Sequence, residues 1–333
     1  NLPVRIAHAN LYYQRMGRHD VSRQSIFFEP NIWLRGNAWE IKAKMNSELP
    51  DLTTMVNYRD DSNPMNIILG NTQLRNIHYY DIEGGKTFEG KKHSRLNINM
   101  GYHQTDNAVA YSLVFDKQTG VSTVQPISVN GNYRIDLGIG YTRPLDKKEK
   151  LSIDNQASFN YNHNVDMAMV QGATQSQRSI VNNWKISNVL KLNYRLDDNY
   201  EFTLHGGGTY YLIKSQREGF SNIHAGDYNI GVNVQVALPW KLQLTTDLTM
   251  FARRGYQLSE MNTTDWIWNA QLSRSFINKK LLVKLQGFDI LRQLSNTQYL
   301  MNAQGRTETW NNSIPRYVML SLSWRFNVNP KKK

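Results

Sequence analysis

From Tyr228 to Trp240 every second residue is apolar (Tyr228, Ile230, Val232, Val234, Val236, Leu238, Trp240), with Asn229, Gly231, Asn233, Gln235 and Ala237 between them. An extended strand points successive side chains to opposite faces, so this segment has one greasy face and one small, polar face. It is long enough to cross a bilayer at barrel tilt, which takes roughly 9–11 residues. The pattern recurs: Tyr133, Ile135, Leu137, Ile139 and Tyr141 alternate with Arg134, Asp136, Gly138, Gly140 and Thr142. The alternation predicts an all-β fold, an antiparallel transmembrane β-barrel with an apolar lipid face and a wet lumen.

Bulk hydropathy alone would hide this. The mean hydropathy is −0.58, and no stretch approaches the roughly 18 consecutive apolar residues of a membrane helix. Barrel proteins read this way because half of each strand is polar. The 18 Tyr and 8 Trp suit interfacial girdles at strand ends. With no Cys in the chain, thiol catalysis, disulfides and thiolate metal sites are excluded. Asn1 opens the sequence with no apolar export segment before it, so a mature product or a fragment is expected.

The net charge of +12 admits a nucleic-acid partner, but the Lys and Arg are scattered and match no nucleic-acid-binding pattern. No nucleic acid is expected. Basic groups have other uses in an outer-membrane protein: they neutralise lipid phosphates at the rim or favour anionic ligands in the lumen. The run Lys331–Lys333 reads as part of a solvated basic tail, residues 327–333.

Hairpins with very short connections define one end. Leu190, Leu192, Tyr194 and Leu196 turn at Asp197–Asn199 into Tyr200, Phe202 and Leu204; the Tyr228 strand turns at Pro239 into Leu242, Leu244, Leu248 and Met250; Trp266, Trp268, Ala270 and Leu272 turn at Asn278–Lys280 into Leu281, Val283 and Leu285. The other end has longer connections, roughly Asn164–Arg178, Ser215–His224, Arg253–Thr264 and Arg292–Arg316. Short turns at one rim and long loops at the other are the asymmetry of bacterial outer-membrane barrels, with the short turns periplasmic. A hairpin around Gly120 is expected to extend Ala108–Lys117 and Val121–Thr142 as a ribbon outside the cell. The count comes to about 14 strands, an even number as bacterial barrels have, including early strands near Arg5–Tyr13, Ile26–Leu34 and Trp39–Met45. The closing strand places Val318, Leu320, Leu322, Trp324 and Phe326 outward, and nothing divides residues 1–333 into domains.

Three stretches carry a family resemblance. Leu49-Pro50-Asp51-Leu52 precedes Asp61-Ser62-Asn63-Pro64-Met65-Asn66-Ile67-Ile68-Leu69-Gly70-Asn71-Thr72-Gln73-Leu74-Arg75; Gly120 through Pro126 is followed by Val129-Asn130-Gly131-Asn132; and Leu281 through Leu291, then Arg316 through Asn327, end the chain. Together they resemble the C-terminal barrel of TonB-dependent receptor-like outer-membrane proteins of Bacteroidota. Thr72, Asn76 and Arg292 depart from that family's usual residues. The resemblance implies a ligand taken up from external loops, a plug domain, TonB as the partner that remodels the plug, and integral residence in the bacterial outer membrane. Plugged transporters of this class have about 22 strands, so the chain is expected to be part of a larger barrel.

Chemistry-bearing candidates are few. None of the eight His falls in an HExxH motif or a close ligand pair, and Gly206–Gly208 lacks the helix and Lys-Ser/Thr of a phosphate loop. The pairs Asp81/Glu83 and Asp197/Asp198 sit in no apolar setting, and there is no nucleophile elbow. No enzyme activity, metal or cofactor is expected. The inward parity instead gathers Arg134, Asp136, Lys191, Arg195, Glu201, His205, Lys241, Asp247 and Arg253 as lumen-lining residues. They would pair with one another, contact a plug, or meet ligand. Met167, Met169, Phe220, Tyr256, Tyr299 and Trp310 are the loop candidates for ligand contact. The alternatives are a self-contained outer-membrane barrel (a scaffold, surface-lipoprotein partner or passive pore) and, on charge alone, a soluble all-β nucleic-acid or glycan binder.

Overall fold

Alternation becomes a wall of strands. The computed structural model describes residues 1–12, 20–169, 173–216, 220–295, 297–302, 305–312 and 314–326. Strands β1 (Val4–Leu11) and β2 (Val21–Phe28) form a separate two-stranded sheet, followed by β3 (Asn31–Gly36) and β4 (Trp39–Glu48). Next come a one-turn helix α1 (Leu52–Met55), β5 (Arg59–Asp60), β6 (Asn66–Leu69), β7 (Ile77–Glu89) and β8 (Arg95–Asp106). A hairpin of β9 (Ala108–Phe115) and β10 (Ser122–Val129) precedes the long strands β11 (Asn132–Pro144), β12 (Leu151–Ala168) and β13 (Gln177–Asp197). The series continues with β14 (Tyr200–Ser215), β15 (Ile223–Leu238), β16 (Leu242–Arg254), β17 (Thr264–Phe276) and β18 (Leu281–Phe288). A small hairpin, β19 (Thr297–Asn302) and β20 (Gly305–Trp310), leads to the last strand, β21 (Tyr317–Trp324).

Thirteen of these strands make one sheet in the order β21-β18-β17-β16-β15-β14-β13-β12-β11-β8-β7-β4-β3, each pair of neighbours antiparallel. Antiparallel pairing satisfies the backbone donors and acceptors inside the sheet, the condition for strands to lie in lipid. Among the described residues β3 and β21 are its two edges. The wall therefore has 13 strands where about 14 were expected. The first expected strand pairs only with β2 outside the wall, Ile26–Leu34 is divided between β2 and β3 at Glu29–Pro30, where Pro30 has no backbone N–H, and β9 with the first part of Val121–Thr142 stands in a separate sheet.

The register confirms the two faces. Ile135 lies opposite Tyr102 and Tyr161, Leu204 opposite Leu192 and Val232, and Leu285 opposite Leu272 and Leu320, so apolar residues share one face strand after strand. That face is uncovered by protein: Ile186, Leu204, Ile230 and Leu320 are all exposed. Most of the buried apolar residues lie elsewhere. Met55, Val56, Ile67, Leu74 and Ala110 are buried in the excursions beside the wall, and Ile213, Ile223 and Ala225 form a small core at the long-loop end.

Short turns (residues 37–38, 90–94, 145–150, 198–199, 239–241 and 277–280) gather at one end, and all long connections at the other. The turn at Pro239–Lys241 places Trp240 (φ 61°) and Lys241 (φ 59°) in the left-handed region. Lys241 was expected on an inward strand position and Trp240 on the apolar row. Both instead belong to a tight turn, because Pro239 cannot donate to the ladder.

The ribbon around Gly120 also differs from expectation. Strand β8 pairs directly with β11, so β9 and β10 leave the wall as an insertion. The expected continuous strand Val121–Thr142 breaks at Gly131, whose φ of 106° suits glycine. The insertion joins β5 and β6 in a four-stranded sheet, in which β10 runs parallel to β6.

Two of the expected long connections contain strand. Strands β12 and β13 reach Ala168 and Gln177, so Met167 is a strand residue opposite Arg178. The connection expected at Arg292–Arg316 contains the β19–β20 hairpin. The tail at residues 327–333 lies outside the described residues.

Candidate functional site

The polar face carries a charged network that crosses five strands. Lys44 of β4 lies opposite Asp81 of β7, Asp81 opposite His103 of β8, and His103 opposite Arg134 of β11. Successive strands thus present Lys, Asp, His and Arg in one row. His103 Nδ1 donates to Asp81 Oδ1 at 2.6 Å, and its Nε2 is 3.3 Å from Asp136 Oδ2. Arg134 Nε donates to the same Asp136 Oδ2 at 2.6 Å, while Asn160 Nδ2 of β12 donates to Oδ1 at 2.6 Å. Lys44 Nζ stands 3.4 Å from Asp81 Oδ2.

Beside this row is a concavity of about 410 Å³, lined by Glu40, Lys42, Glu83, Asn99, His103, Arg134 and Asp136 over a floor that includes Gly85, Gly101 and Gly138. Glycine on the polar face lets a body in the lumen approach the backbone closely. Lys42 and Glu40 pair at 3.1 Å across its rim.

A second cluster lies where the polar face meets the long loops. Arg253 Nε donates to Asp227 Oδ1 at 3.2 Å, and the Tyr256 hydroxyl donates to the same oxygen at 2.8 Å. The Arg253 guanidinium lies 4.5 Å from the Tyr256 ring centre, a cation–π contact. Tyr256 and Phe220, on two different loops, pack against Ile213, Ile223 and Ala225. Burial pushes the Tyr256 phenol up to about 12, with the Asp227 carboxylate adding to the shift. Phe220 and Tyr256 thus both pack on the polar face.

The remaining sequence candidates are dispersed. His205 Nε2 is 3.3 Å from Thr249 Oγ1, above Gly231, and Lys191 sits opposite His205 in the register. Arg195 turns away from its cross-strand partner Glu201 and donates to Asp198 at 2.7 Å in the short turn. Asp247 accepts from Asn269 at 2.9 Å. Met167 is half-buried on β12, and Met169 follows the strand. Tyr299 lies on β19, and Trp310 ends β20 with 80% exposure. Structure thus joins Arg134 with Asp136, and Arg253 with Tyr256, and sets Lys191 opposite His205 and Arg195 opposite Glu201 in the ladder.

Sequence reading missed Lys44, Asp81, His103, Asn160 and Asp227. Along the sequence Asp81 pairs only with Glu83, two positions on in the same strand. The available signal was parity: Asp81 and His103 occupy polar-face positions on consecutive strands, but their meeting depends on a hairpin register that local spacing does not set.

Comparison with known proteins gives the same architecture. The sequence profile of the outer membrane protein beta-barrel family matches residues 33–207 and again 173–324. No curated protein matches the sequence. Among solved structures, a glycine-to-valine variant of the ferric enterobactin receptor from Pseudomonas aeruginosa is similar with a TM-score of 0.50 and 11% identity, covering 97% of this chain and 51% of the receptor. Another variant of that receptor, in complex with enterobactin, gives a TM-score of 0.46 and 11% identity, covering 90% of this chain and 44% of the receptor. The chain therefore spans about half the length of the solved receptors it resembles. The apolar face of the wall is its lipid face, the polar face its lumen. The chain belongs to the outer membrane protein beta-barrel family and is an integral protein of the outer membrane.

Proposed function

We propose that the chain is the C-terminal barrel portion of a TonB-dependent receptor-like transporter of Bacteroidota, one barrel domain over residues 1–333. In that role it supplies wall, lumen lining and external loops. A ligand binds at the loops and at the apex of a plug, and TonB then remodels the plug so that ligand passes to the periplasm. No covalent step is assigned to the chain.

The observation that carries this reading is the lumen face: a glycine-floored concavity beside the Asp81–His103–Asp136–Arg134 network. Such a surface suits a polar body lying close against it. Two further observations agree with it: among the described residues the sheet keeps two unpaired edges, and the similar receptors are about twice as long. The inward packing of Phe220 and Tyr256 supports a role in shaping the external mouth more than direct ligand contact.

The test is the denatured intact mass of the polypeptide extracted from its native outer membrane, together with ligand uptake in cells with and without TonB. The expected mass is well above 38.6 kDa, with uptake that stops when TonB is removed. A mass of 38.6 kDa with ion conductance independent of TonB would replace the reading with a self-contained pore or scaffold, including one that carries a surface lipoprotein.

A further inference from the structure

Two amides interrupt the lipid face within its apolar band. Along β13 the outward residues run Trp184, Ile186, Asn188, Leu190, Leu192 and Tyr194. Along β12 they run Ile153, Asn155, Ala157, Phe159 and Tyr161. Trp184 and Tyr194 stand ten positions apart, about 33 Å of strand at a rise of about 3.3 Å, which at a tilt of roughly 40° covers an apolar band of about 25 Å. Asn188 lies four positions from Trp184, inside that band.

The two side chains hold each other. Asn155 Nδ2 donates to Asn188 Oδ1 at 3.1 Å and to the Val189 carbonyl at 3.2 Å, and Asn188 Nδ2 donates to Asn155 Oδ1 at 3.2 Å. A side-chain amide has two N–H donors and an oxygen with two lone pairs. Among the described residues the pair therefore leaves one N–H of Asn188 and one lone pair on each oxygen without a partner. Asn188 is exposed on this face. Hydrocarbon offers such groups no hydrogen bond, whereas polar side chains in lipid bond across protein–protein contacts.

The ground around the pair is shaped to meet a second convex wall. Across the sheet, one row reads Ile139, Ala157, Asn188, Gly208 and Tyr228: large, small, amide, small, large. The next row toward the short turns reads Tyr141, Asn155, Leu190, Gly206 and Ile230. Gly206 is open, since a Cβ there would find only the Asn229 carbonyl oxygen close by, at 3.7 Å. The Tyr228 ring leans over Gly208, its Cδ1 3.0 Å from where a Cβ would stand, which keeps the ring low against the wall. Two barrels, each convex outside, touch along a line and diverge to either side. Small residues at the line let the backbones approach, and larger ones beyond it fill the widening gap.

We propose that Asn155 and Asn188 mark the contact between two copies of this barrel, related by a two-fold axis that runs along the membrane normal beside Asn188. Copies in one membrane share an orientation, so a closed pair presents the same patch from both sides about such an axis. The axis sets Gly208 against Ala157 of the second copy and Tyr228 against its Ile139. It also brings the unpartnered Asn188 N–H to an amide oxygen of the second copy. The amide pair answers itself, because each copy carries both the donor and the acceptor that the other lacks. The inference rests on which face meets lipid and involves neither TonB nor a transported ligand, so it and the receptor reading can fail separately.

The test uses the whole protein from its native outer membrane. In mild detergent, native mass spectrometry over a dilution series is expected to show twice the protomer mass. The Asn155→Leu/Asn188→Leu double variant is expected to dimerise roughly tenfold more weakly, while Asn233→Leu on the lumen face dimerises as the unaltered protein does. In the intact membrane, Leu190→Cys beside the pair is expected to be joined to its counterpart by a short bismaleimide, and Leu320→Cys on β21 is not; the unaltered protein serves as blank. A protomer mass at every dilution, an unchanged double variant, or cross-linking at Leu190 no greater than at Leu320 overturns the proposal. Cross-linking of Leu190→Cys to a different barrel protein overturns the choice of a second copy. The cross-linking comparison keeps both amides and decides the matter even where the double variant does not fold.

Discussion

His103 Nδ1 lies 2.6 Å from Asp81 Oδ1, joining two strands through the middle residue of a four-strand row that runs Lys44, Asp81, His103, Arg134. The His103 and Asp81 side chains are only 21% and 18% exposed, so the pair is largely shielded on the lumen side. Charge-assisted contacts of this kind hold a wall segment in one register more firmly than an exposed surface pair does.

Asp81→Ala is therefore expected to destabilise the folded barrel by about 1–3 kcal/mol, the range for leaving a shielded donor without its acceptor. A double-mutant cycle with His103→Ala in detergent, read by urea unfolding, is expected to show a coupling of about 1 kcal/mol. Additive effects would show that the two side chains do not act together.

Tyr256 tests the loop anchor. Its phenol is held neutral up to about 12 against an ordinary value of 10.0. A group whose folded value is raised contributes stability that is complete below the unfolded value and lost as pH rises through the folded one. The 255–263 loop should therefore loosen between pH 10 and about 12, seen as faster hydrogen exchange there. Tyr256→Phe removes the hydroxyl donated to Asp227, so the loop should exchange faster at neutral pH and lose its alkaline step.

Glu29 tests the junction between the first hairpin and the wall. Arg5 makes a two-point contact with it at 2.7 and 3.0 Å, and the Ser47 backbone N–H donates at 2.8 Å. The Arg5 guanidinium, followed by the Ser47 N–H, holds the Glu29 carboxyl below its usual range. A lowered folded value gives stability that is present above the unfolded value of 4.5 and lost as pH falls below it. Limited proteolysis should release the β1–β2 hairpin progressively as pH falls below 4.5 and through the lowered folded value, and Glu29→Gln should release it at neutral pH. Arg5 is half exposed, so solvent screening keeps the effect modest.

Gly231→Ala tests close approach on the lumen face. A Cβ at this position would lie 2.7 Å from both His205 Nε2 and the Leu248 carbonyl oxygen and would press on Thr249 Oγ1. The backbone oxygen cannot move aside, so a loss of about 1–3 kcal/mol is expected on thermal unfolding. Pairing it with His205→Ala should recover only the part due to the imidazole.

The sequence by itself determined the two-faced strands, the hairpins from Tyr133 onward, the end that holds the short turns, and the lipid-face rows ending in Val318, Leu320, Leu322 and Trp324. These follow from a period of two and from turn chemistry, both local properties. Tertiary structure alone decided that Asp81 meets His103, that β9 and β10 leave the wall to join β6, that Lys241 closes a turn, and that Asn155 meets Asn188. Those relations depend on hydrogen-bond register between strands and on where each strand stops. Register is a global property of the sheet, set by the pairing of residues far apart in the chain.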